Sequence, residues 1–117
     1  MSDILKKLSG EAVLFDMDCS LYLSSDETIT GTPTMSYLPT GLSGTAILNF
    51  ASASVNTVAI SYPDGVTAAI GKAIQVRISG GAPTTQTSPR TYTVMATFTT
   101  TRGDTRIARG LLQVVPN

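Results

Sequence analysis

The stretch YTVMATFTTTRGDTRIARGLLQV, residues 92–114, decides the fold class of this 117-residue chain. Its first and second halves each alternate apolar and polar side chains with a period of two, the pattern of a half-buried β-strand. Arg102-Gly103-Asp104 lies between the halves and has the chemistry of a tight turn. We therefore predict a terminal β-hairpin with these inward-facing residues: Tyr92, Val94, Ala96, Phe98, Ala108, Gly110, Leu112 and Val114.

Further alternating stretches lie upstream of this hairpin. Residues 13–23 alternate in the same way and predict a long strand whose odd-numbered side chains point inward. Residues 28–37 predict a weaker strand, which Gly31 and Pro33 interrupt as they would in an edge strand or a bend.

The middle of the chain carries weaker signals. Residues 45–51 and 55–62 predict two strands joined by a hairpin at Ala53-Ser54, and residues 74–78 predict another strand. Residues 66–72 are ambiguous: they are rich in alanine and end near Gly71, which leaves a short helical turn between sheets as one interpretation.

The first ten residues predict the only helical piece of the chain. Ser2 would cap it, Ile4, Leu5 and Leu8 would form its apolar side, and Gly10 would end it. Two interpretations stay open, because ten residues make a marginal helix in water: a frayed terminus, or an arm that becomes ordered against a partner.

These elements predict an all-β fold. About seven strands in about a hundred residues, with turn signals between them, are typical of an immunoglobulin-like antiparallel β-sandwich. The 18 threonines fit this class, because β-branched side chains suit a pleated sheet. We expect Tyr92 to be a corner tyrosine that bonds back to the backbone. The predicted units are an N-terminal arm, residues 1–10, and a single sandwich domain, residues 11–117.

Charge and composition exclude several classes of function. The formal net charge is zero, so no global field attracts nucleic acid or an anionic membrane. The first 64 residues carry a balance of −5 and the rest a balance of +5. Either these charges meet between neighbouring strands of one domain, or the dipolar module docks head-to-tail with copies of itself. No apolar run is long enough for a transmembrane helix, and the N-terminus does not resemble a secretory signal.

The residues that could carry chemistry are few. The chain has no histidine, which removes the usual general base and metal ligand. Cys19 is the only cysteine, so no intrachain disulfide forms, and its inward position predicts a buried apolar side chain. Asp16 and Asp18 with Asp26-Glu27 are either calcium ligands or a solvated acidic face, and their spacing favours the second. We therefore predict no enzyme activity, no metal and no cofactor.

Arg102-Gly103-Asp104 also spells the tripeptide that integrins recognise in adhesion proteins. Glycine beside aspartate is equally what a tight turn requires, and three residues recur by chance. The turn interpretation is therefore favoured.

Three segments carry a family resemblance: DMDCSLYLSSDETITG (16–31), QVRISGG (75–81) and residues 92–114. They resemble the phage fibre–tail adaptor proteins, a family of small virion proteins of tailed phages. The shared pattern comprises an Asp-containing first strand, an acid-Thr-Ile turn, a strand that ends in Ser-Gly-Gly, and a Tyr-Thr-Val strand before a glycine turn with arginines. The resemblance covers most of residues 12–115, with no marker from Thr40 to Lys72. It implies an immunoglobulin-like sandwich built into a virion in many copies.

The predicted function is that of a structural virion component, an adaptor that links tail and fibre or neck proteins through protein–protein contacts. The alternatives are a head decoration protein, or an adhesion module that binds a host surface or carbohydrate through loops such as residues 80–90. The predicted partners are other virion proteins and copies of the chain, and neither nucleic acid nor a membrane is expected to bind. The chain is expected to be located in the virion, which is assembled in the cytoplasm of the host bacterium. The outward apolar residues of the first and last clear strands are expected to share a sheet. The candidate interface residues are Ile4, Leu5, Leu8, Tyr22, Met95, Ile107, Leu111, Arg102, Arg106 and Arg109.

Overall fold

A computed structural model describes residues 5–8, 11–38, 47–62, 65–81 and 90–115. The described residues form nine β-strands and one 3-10 helical turn at Ser20–Tyr22. The strands are β1 (Leu5–Leu8), β2 (Val13–Asp18), β3 (Ile29–Leu38), β4 (Leu48–Val55), β5 (Ile60–Ser61), β6 (Thr67–Ala68), β7 (Ala73–Gly80), β8 (Arg90–Thr100) and β9 (Thr105–Val115).

The strands build two facing sheets, so the prediction of an all-β sandwich is confirmed. One sheet has the order β1-β9-β8-β3 and the other has the order β2-β7-β4, while β5 and β6 form a separate small hairpin. Inner side chains of both sheets join one core, in which a methyl group added to Gly110 of β9 would lie 2.9 Å from Phe15 Cζ of β2. The immunoglobulin-like assignment itself stays a prediction.

The predicted terminal hairpin is confirmed. β8 and β9 pair in antiparallel register from Arg90↔Val114 to Thr99↔Thr105. The even-numbered side chains that alternation placed inward are buried, among them Tyr92, Phe98 and Leu112. Hydrophobic burial on one face therefore fixes the register, because a slip of one residue would expose every one of these side chains.

The strand predicted over residues 13–23 is correct only as far as Asp18. Phe15, Met17 and Cys19 are buried as predicted. The chain then turns, because Asp18 Oδ1 accepts hydrogen bonds from the Ser20 backbone N–H at 3.0 Å and from its hydroxyl at 2.6 Å. Such local side-chain bonds compete with strand pairing. Leu21 consequently is 90% exposed instead of pointing inward.

Two interpretations of the middle of the chain are wrong. The expected hairpin at Ala53-Ser54 is a β-bulge within β4, where Ser52 has a φ of 58° and the register with β7 shifts between Ala51 and Ser54. A bulge adds a residue to one strand without reversing it, so its sequence mimics a weak turn. The segment considered as a helical turn, residues 66–72, contains β6, which pairs with β5.

The helix predicted for the N-terminus is also wrong over the described residues 5–8. They form β1, which pairs in parallel with β9 from Leu5↔Leu112 to Leu8↔Val115. Leu5 packs against the core, and Lys7 lies on the same inner side with 1% of its surface exposed. Burial lowers the pKa of Lys7, although the Glu11 carboxylate opposes that shift. This part of the predicted arm is therefore a strand of the domain's own sheet.

Tyr92 bonds back to the backbone as predicted for a corner tyrosine. Its buried hydroxyl donates to the Gly81 carbonyl oxygen at 2.6 Å. Burial raises the pKa of Tyr92, so the hydroxyl keeps its proton at neutral pH. The bond ties the end of β7 to the start of β8 across the intervening residues.

Replacing Tyr92 with phenylalanine is expected to lower the free energy of unfolding by about 1–3 kcal/mol, because the buried Gly81 carbonyl loses this donor. Urea titration at fixed protein concentration measures the change. Tyr37→Phe is the control, because Tyr37 contacts Tyr92 through its ring, with centroids 6.0 Å apart. Equal, small losses in both variants would contradict the assigned role of the hydroxyl.

Candidate functional site

Four of the predicted interface residues lie on one surface, the outward side of β8 and β9. Met95 lies opposite Arg109, Ile107 opposite Thr97, and Leu111 opposite Thr93. We call this surface the outer face. Ile107 is 43% and Leu111 is 38% exposed, whereas Met95 is half-buried between its neighbours. The strand pairing therefore brings Met95 beside residues 12 to 16 positions further along the chain, in one apolar patch with an arginine at its centre.

The outer face continues onto β3, which sequence reasoning did not include. Leu38 lies opposite Thr93 and is 46% exposed, and Thr34 lies opposite Thr97. The register of β3 shifts by two residues between Thr30 and Thr34, which preserves the alternation, so Leu38 lies on the same outward side as Thr30 and Thr34. The strand predicted over residues 28–37 ends one residue before Leu38, and the apolar character of Leu38 was the only sequence signal for including it in this surface.

Tyr22 does not belong to this surface. It lies in the 3-10 turn that follows β2, and β2 belongs to the sheet opposite β9. The same holds for Leu14, which is 41% exposed on the outward side of β2. The expectation that the first and last clear strands share a sheet is therefore wrong. Sequence adjacency does not reveal which sheet of a sandwich a strand enters.

The N-terminal members of the predicted interface divide as follows. Ile4 lies outside the described residues. Leu5 packs against the domain's own core, so its side chain is not available to a partner in this arrangement. Leu8 is in β1 and pairs with Val115.

Of the three arginines, only Arg109 lies on the outer face. Arg102 and Arg106 lie at the tip of the β8–β9 hairpin. Arg102 Nη2 lies 3.3 Å from Asp26 Oδ1, and Arg106 Nη2 lies 3.6 Å from Asp104 Oδ2. All four side chains are about half exposed or more, so these pairs contribute little to stability. The Asp26 pair joins the acidic and basic halves of the chain within one domain.

The Arg102-Gly103-Asp104 segment is the tight turn that its sequence predicts. Gly103 has a φ of +85°, and its backbone N–H donates to the Thr100 carbonyl oxygen at 2.8 Å. The Thr100 hydroxyl accepts from the backbone N–H groups of Arg102 and Asp104, both at 3.3 Å. The tripeptide is exposed, and each of its residues has a structural role in the hairpin tip.

The acidic residues considered as calcium ligands take part in separate interactions and do not form one cluster. Asp18 accepts hydrogen bonds from Ser20 at the start of the 3-10 turn, and Asp26 pairs with Arg102. Glu27 Oε1 accepts from the Ser24 backbone N–H at 3.0 Å. Within the described ranges no three acidic or cysteine side chains converge where they could hold a metal ion. Asp16 Oδ1 and Glu27 Oε2 are both buried and make no hydrogen bond there.

Glu27 has a structural role at the hairpin-tip end of the sandwich, where it is 1% exposed. The Thr100 side chain and the Ser24 N–H hold the pKa of Glu27 below its ordinary value. The positive charges of Arg102 and Arg106 act in the same direction, while burial opposes them. The ionised carboxylate therefore stabilises the fold.

Glu27→Gln is expected to lower the free energy of unfolding at pH 7. Because the folded-state pKa of Glu27 is depressed, its contribution is complete above the ordinary value of 4.5 and is lost as the pH falls through the folded-state pKa. The stability difference between the two proteins should therefore shrink with acidification, as measured by urea titration from pH 7 to pH 2. A difference that is constant over this range would contradict the role of the charge.

Cys19 is a buried apolar residue, as its inward position predicted. Its surface is fully buried, and its Sγ lies 3.6 Å from the Met17 carbonyl oxygen. Burial, with a smaller contribution from the Asp18 charge, raises the pKa of the thiol to about 12. The thiol is therefore protonated at neutral pH and is a poor nucleophile.

The outer face and the fold define the class of this molecule as an all-β sandwich protein. No protein-family model matches the chain, and no curated protein is significantly similar to it in sequence. Among the described residues there is no helix of the length and hydrophobicity that crossing a membrane would take.

Proposed function

We propose that this chain is a structural component of a tailed-phage virion, an adaptor that holds tail and fibre or neck proteins together through protein–protein contacts. The observation that carries the proposal is the outer face, where three exposed apolar side chains surround Met95 and Arg109 on one sheet. The motif resemblance to phage fibre–tail adaptor proteins supplies the biological setting. Localisation in the virion, after assembly in the host cytoplasm, is part of the same proposal.

The composition of the outer face suits a protein partner. Met and Arg are enriched at protein–protein contacts, and Leu38, Ile107 and Leu111 supply apolar area around them. A β-sheet fixes these side chains in a regular array, so a partner binds without ordering a loop first. The threonine hydroxyls between them offer hydrogen bonds at the rim of the contact. We therefore propose a non-catalytic role.

Capture of virion proteins from an extract of phage-infected cells tests the proposal. Immobilised wild-type chain should retain tail, fibre or neck proteins, identified by mass spectrometry. The double variant Ile107→Asp with Leu111→Asp should lose them, because two charges replace the apolar part of the outer face.

The matched control is Val58→Asp with Ile70→Asp, which changes two residues that are 67% and 60% exposed outside both sheets. This control should retain the same virion proteins as the wild type. Equal capture by both double variants would contradict the outer face as the binding surface. Capture of no virion protein by the wild type would contradict the adaptor function itself.

A further inference from the structure

A second surface lies at one side of the sandwich, where β2 and β9 both expose backbone groups along a strand edge. No described residue pairs with β2 on the side away from β7. β9 pairs with β1 only from Leu112 onward, so Thr105–Leu111 has no described strand on that side. The Gly110–Phe15 proximity shows that β2 and β9 face each other across the core. Both open edges therefore lie on the same side of the domain.

The direction of each exposed backbone group follows from the hydrogen bonds. Cys19 N–H donates to the Lys72 carbonyl oxygen on the β7 side, and groups alternate sides along an antiparallel strand. The backbone groups of the even-numbered β2 residues, Leu14 and Asp16 among them, consequently point to the open side. In β9 the Asp104 carbonyl accepts from Thr100 N–H of β8. The odd-numbered residues after it therefore point to the open side, Arg109 included.

The edges on the opposite side of the sandwich are blunted, whereas this side is not. β3 contains Gly31, Pro33 and a register shift, and β4 contains the bulge at Ser52. Natural sheets use such devices to prevent strand addition. β2 pairs with β7 in unbroken register from Val13 to Asp18 and contains neither glycine nor proline. It is the regular edge that an added strand requires.

The two open edges complement each other. Gly81 follows the end of β7, and a Cβ there would lie 3.1 Å from Val114 Cγ2 near the end of β9, so β7 and β9 run in the same direction. β2 pairs antiparallel with β7 and therefore also runs antiparallel to β9. A two-fold axis parallel to the strands would then place β9 of each copy beside β2 of the other, in antiparallel orientation. The dimer would therefore contain two such strand pairs.

We propose that the chain forms a two-fold dimer in which β2 of each copy adds to the open edge of β9 of the other. The register that matches exposed backbone groups places Leu14 opposite Leu111, and Asp16 opposite Arg109, of the other copy. The outer sides of the two sheets become continuous, so these side chains meet on one surface. Arg109 also supplies a cation to the half-buried Asp16 carboxylate of the other copy.

This dimer does not depend on the virion assignment, because it concerns the chain alone. In this dimer Asp16 of the acidic half, whose charge balance is −5, pairs with Arg109 of the basic half, whose balance is +5. The dimer uses Arg109 and Leu111 at one border of the outer face, while Leu38, Met95 and Ile107 remain available to another protein. Failure of dimerisation would appear in the solution mass, and failure of the adaptor function would appear in the capture of virion proteins.

Sedimentation equilibrium of the full chain over a range of concentrations tests the proposal. The wild type should fit a monomer–dimer equilibrium. Leu14→Pro should stay folded and be monomeric, since it removes a backbone donor that no other described residue uses. Leu14→Ala, the control, keeps that donor and should still dimerise, with weaker affinity. A wild type that is monomeric at all concentrations, or a trimer, would overturn the proposal.

A charge exchange and a cross-link decide the register even where the proline variant does not fold. Asp16→Arg and Arg109→Asp should each weaken the dimer at least tenfold, and the double variant should recover it. Leu14→Cys with Leu111→Cys should form a disulfide-linked dimer on oxidation. Within one copy these positions lie on the outward sides of opposite sheets, about 10 Å or more apart, which excludes an internal bond. No rescue and no linked dimer would refute the register.

Discussion

Gly80→Ala should be among the most damaging single substitutions in this protein, with an expected loss of about 2–5 kcal/mol in the free energy of unfolding. Gly80 ends β7 with a φ of +81°, a conformation that residues with a Cβ rarely adopt. A Cβ there would also clash with the Ile47 carbonyl oxygen and lie 3.1 Å from Asn49 Nδ2. That carbonyl accepts the Gly81 N–H at 3.1 Å, so the backbone cannot move without losing this bond.

Gly103→Ala separates the two causes of this loss. Gly103 has a similar φ, +85°, but nothing lies within 4 Å of the position where its Cβ would be. Gly103→Ala should therefore lower the free energy of unfolding by only about 1–2 kcal/mol, the cost of the backbone strain. Urea titration of both variants at one protein concentration measures the difference. Equal losses would show that close packing between the ends of β4 and β7 contributes nothing.

Phe98→Ala is expected to lower the free energy of unfolding by about 3–5 kcal/mol. Phe98 is 3% exposed in β8 and belongs to the core between the sheets. Its removal leaves a cavity that rigid strands on both sides cannot close. Since small domains have about 5–15 kcal/mol in total, the variant should be partly unfolded in mild urea.

Thr97→Ala is the control on the neighbouring residue of the same strand. Thr97 points to the outer face, so its replacement should cost less than about 1 kcal/mol, the range of strand propensity. The comparison tests whether alternation assigns the inner and outer sides of β8 correctly. A larger loss from Thr97→Ala than from Phe98→Ala would reverse that assignment.

The proposed adaptor surface and the proposed dimer edge both derive from β9. From Ala108 onward its even-numbered residues face the core, and its odd-numbered side chains, such as Ile107, form the outer face. Its backbone pairs with β8 along its whole length and with β1 over only four residues. One strand therefore supplies the core, a side-chain surface and an open edge, because a β-strand presents each of these in a different direction.

The sequence by itself determined the fold class, the terminal hairpin and the inward residues from Phe15 to Cys19. Each of these depends on alternation or on a local turn, which neighbouring residues specify completely. It also identified Met95, Ile107, Arg109 and Leu111 as outward residues, because they alternate with core positions in the same hairpin.

Only the tertiary structure decided which strands share a sheet. The N-terminal residues 5–8 form a strand because they pair with β9, about a hundred positions away, and no local signal encodes that partner. The bulge at Ser52 and the register shift in β3 depend in the same way on the strand beside them. The outer face and the open edges follow from this pairing. Strand pairing is non-local, since its hydrogen bonds join residues that are distant in the chain.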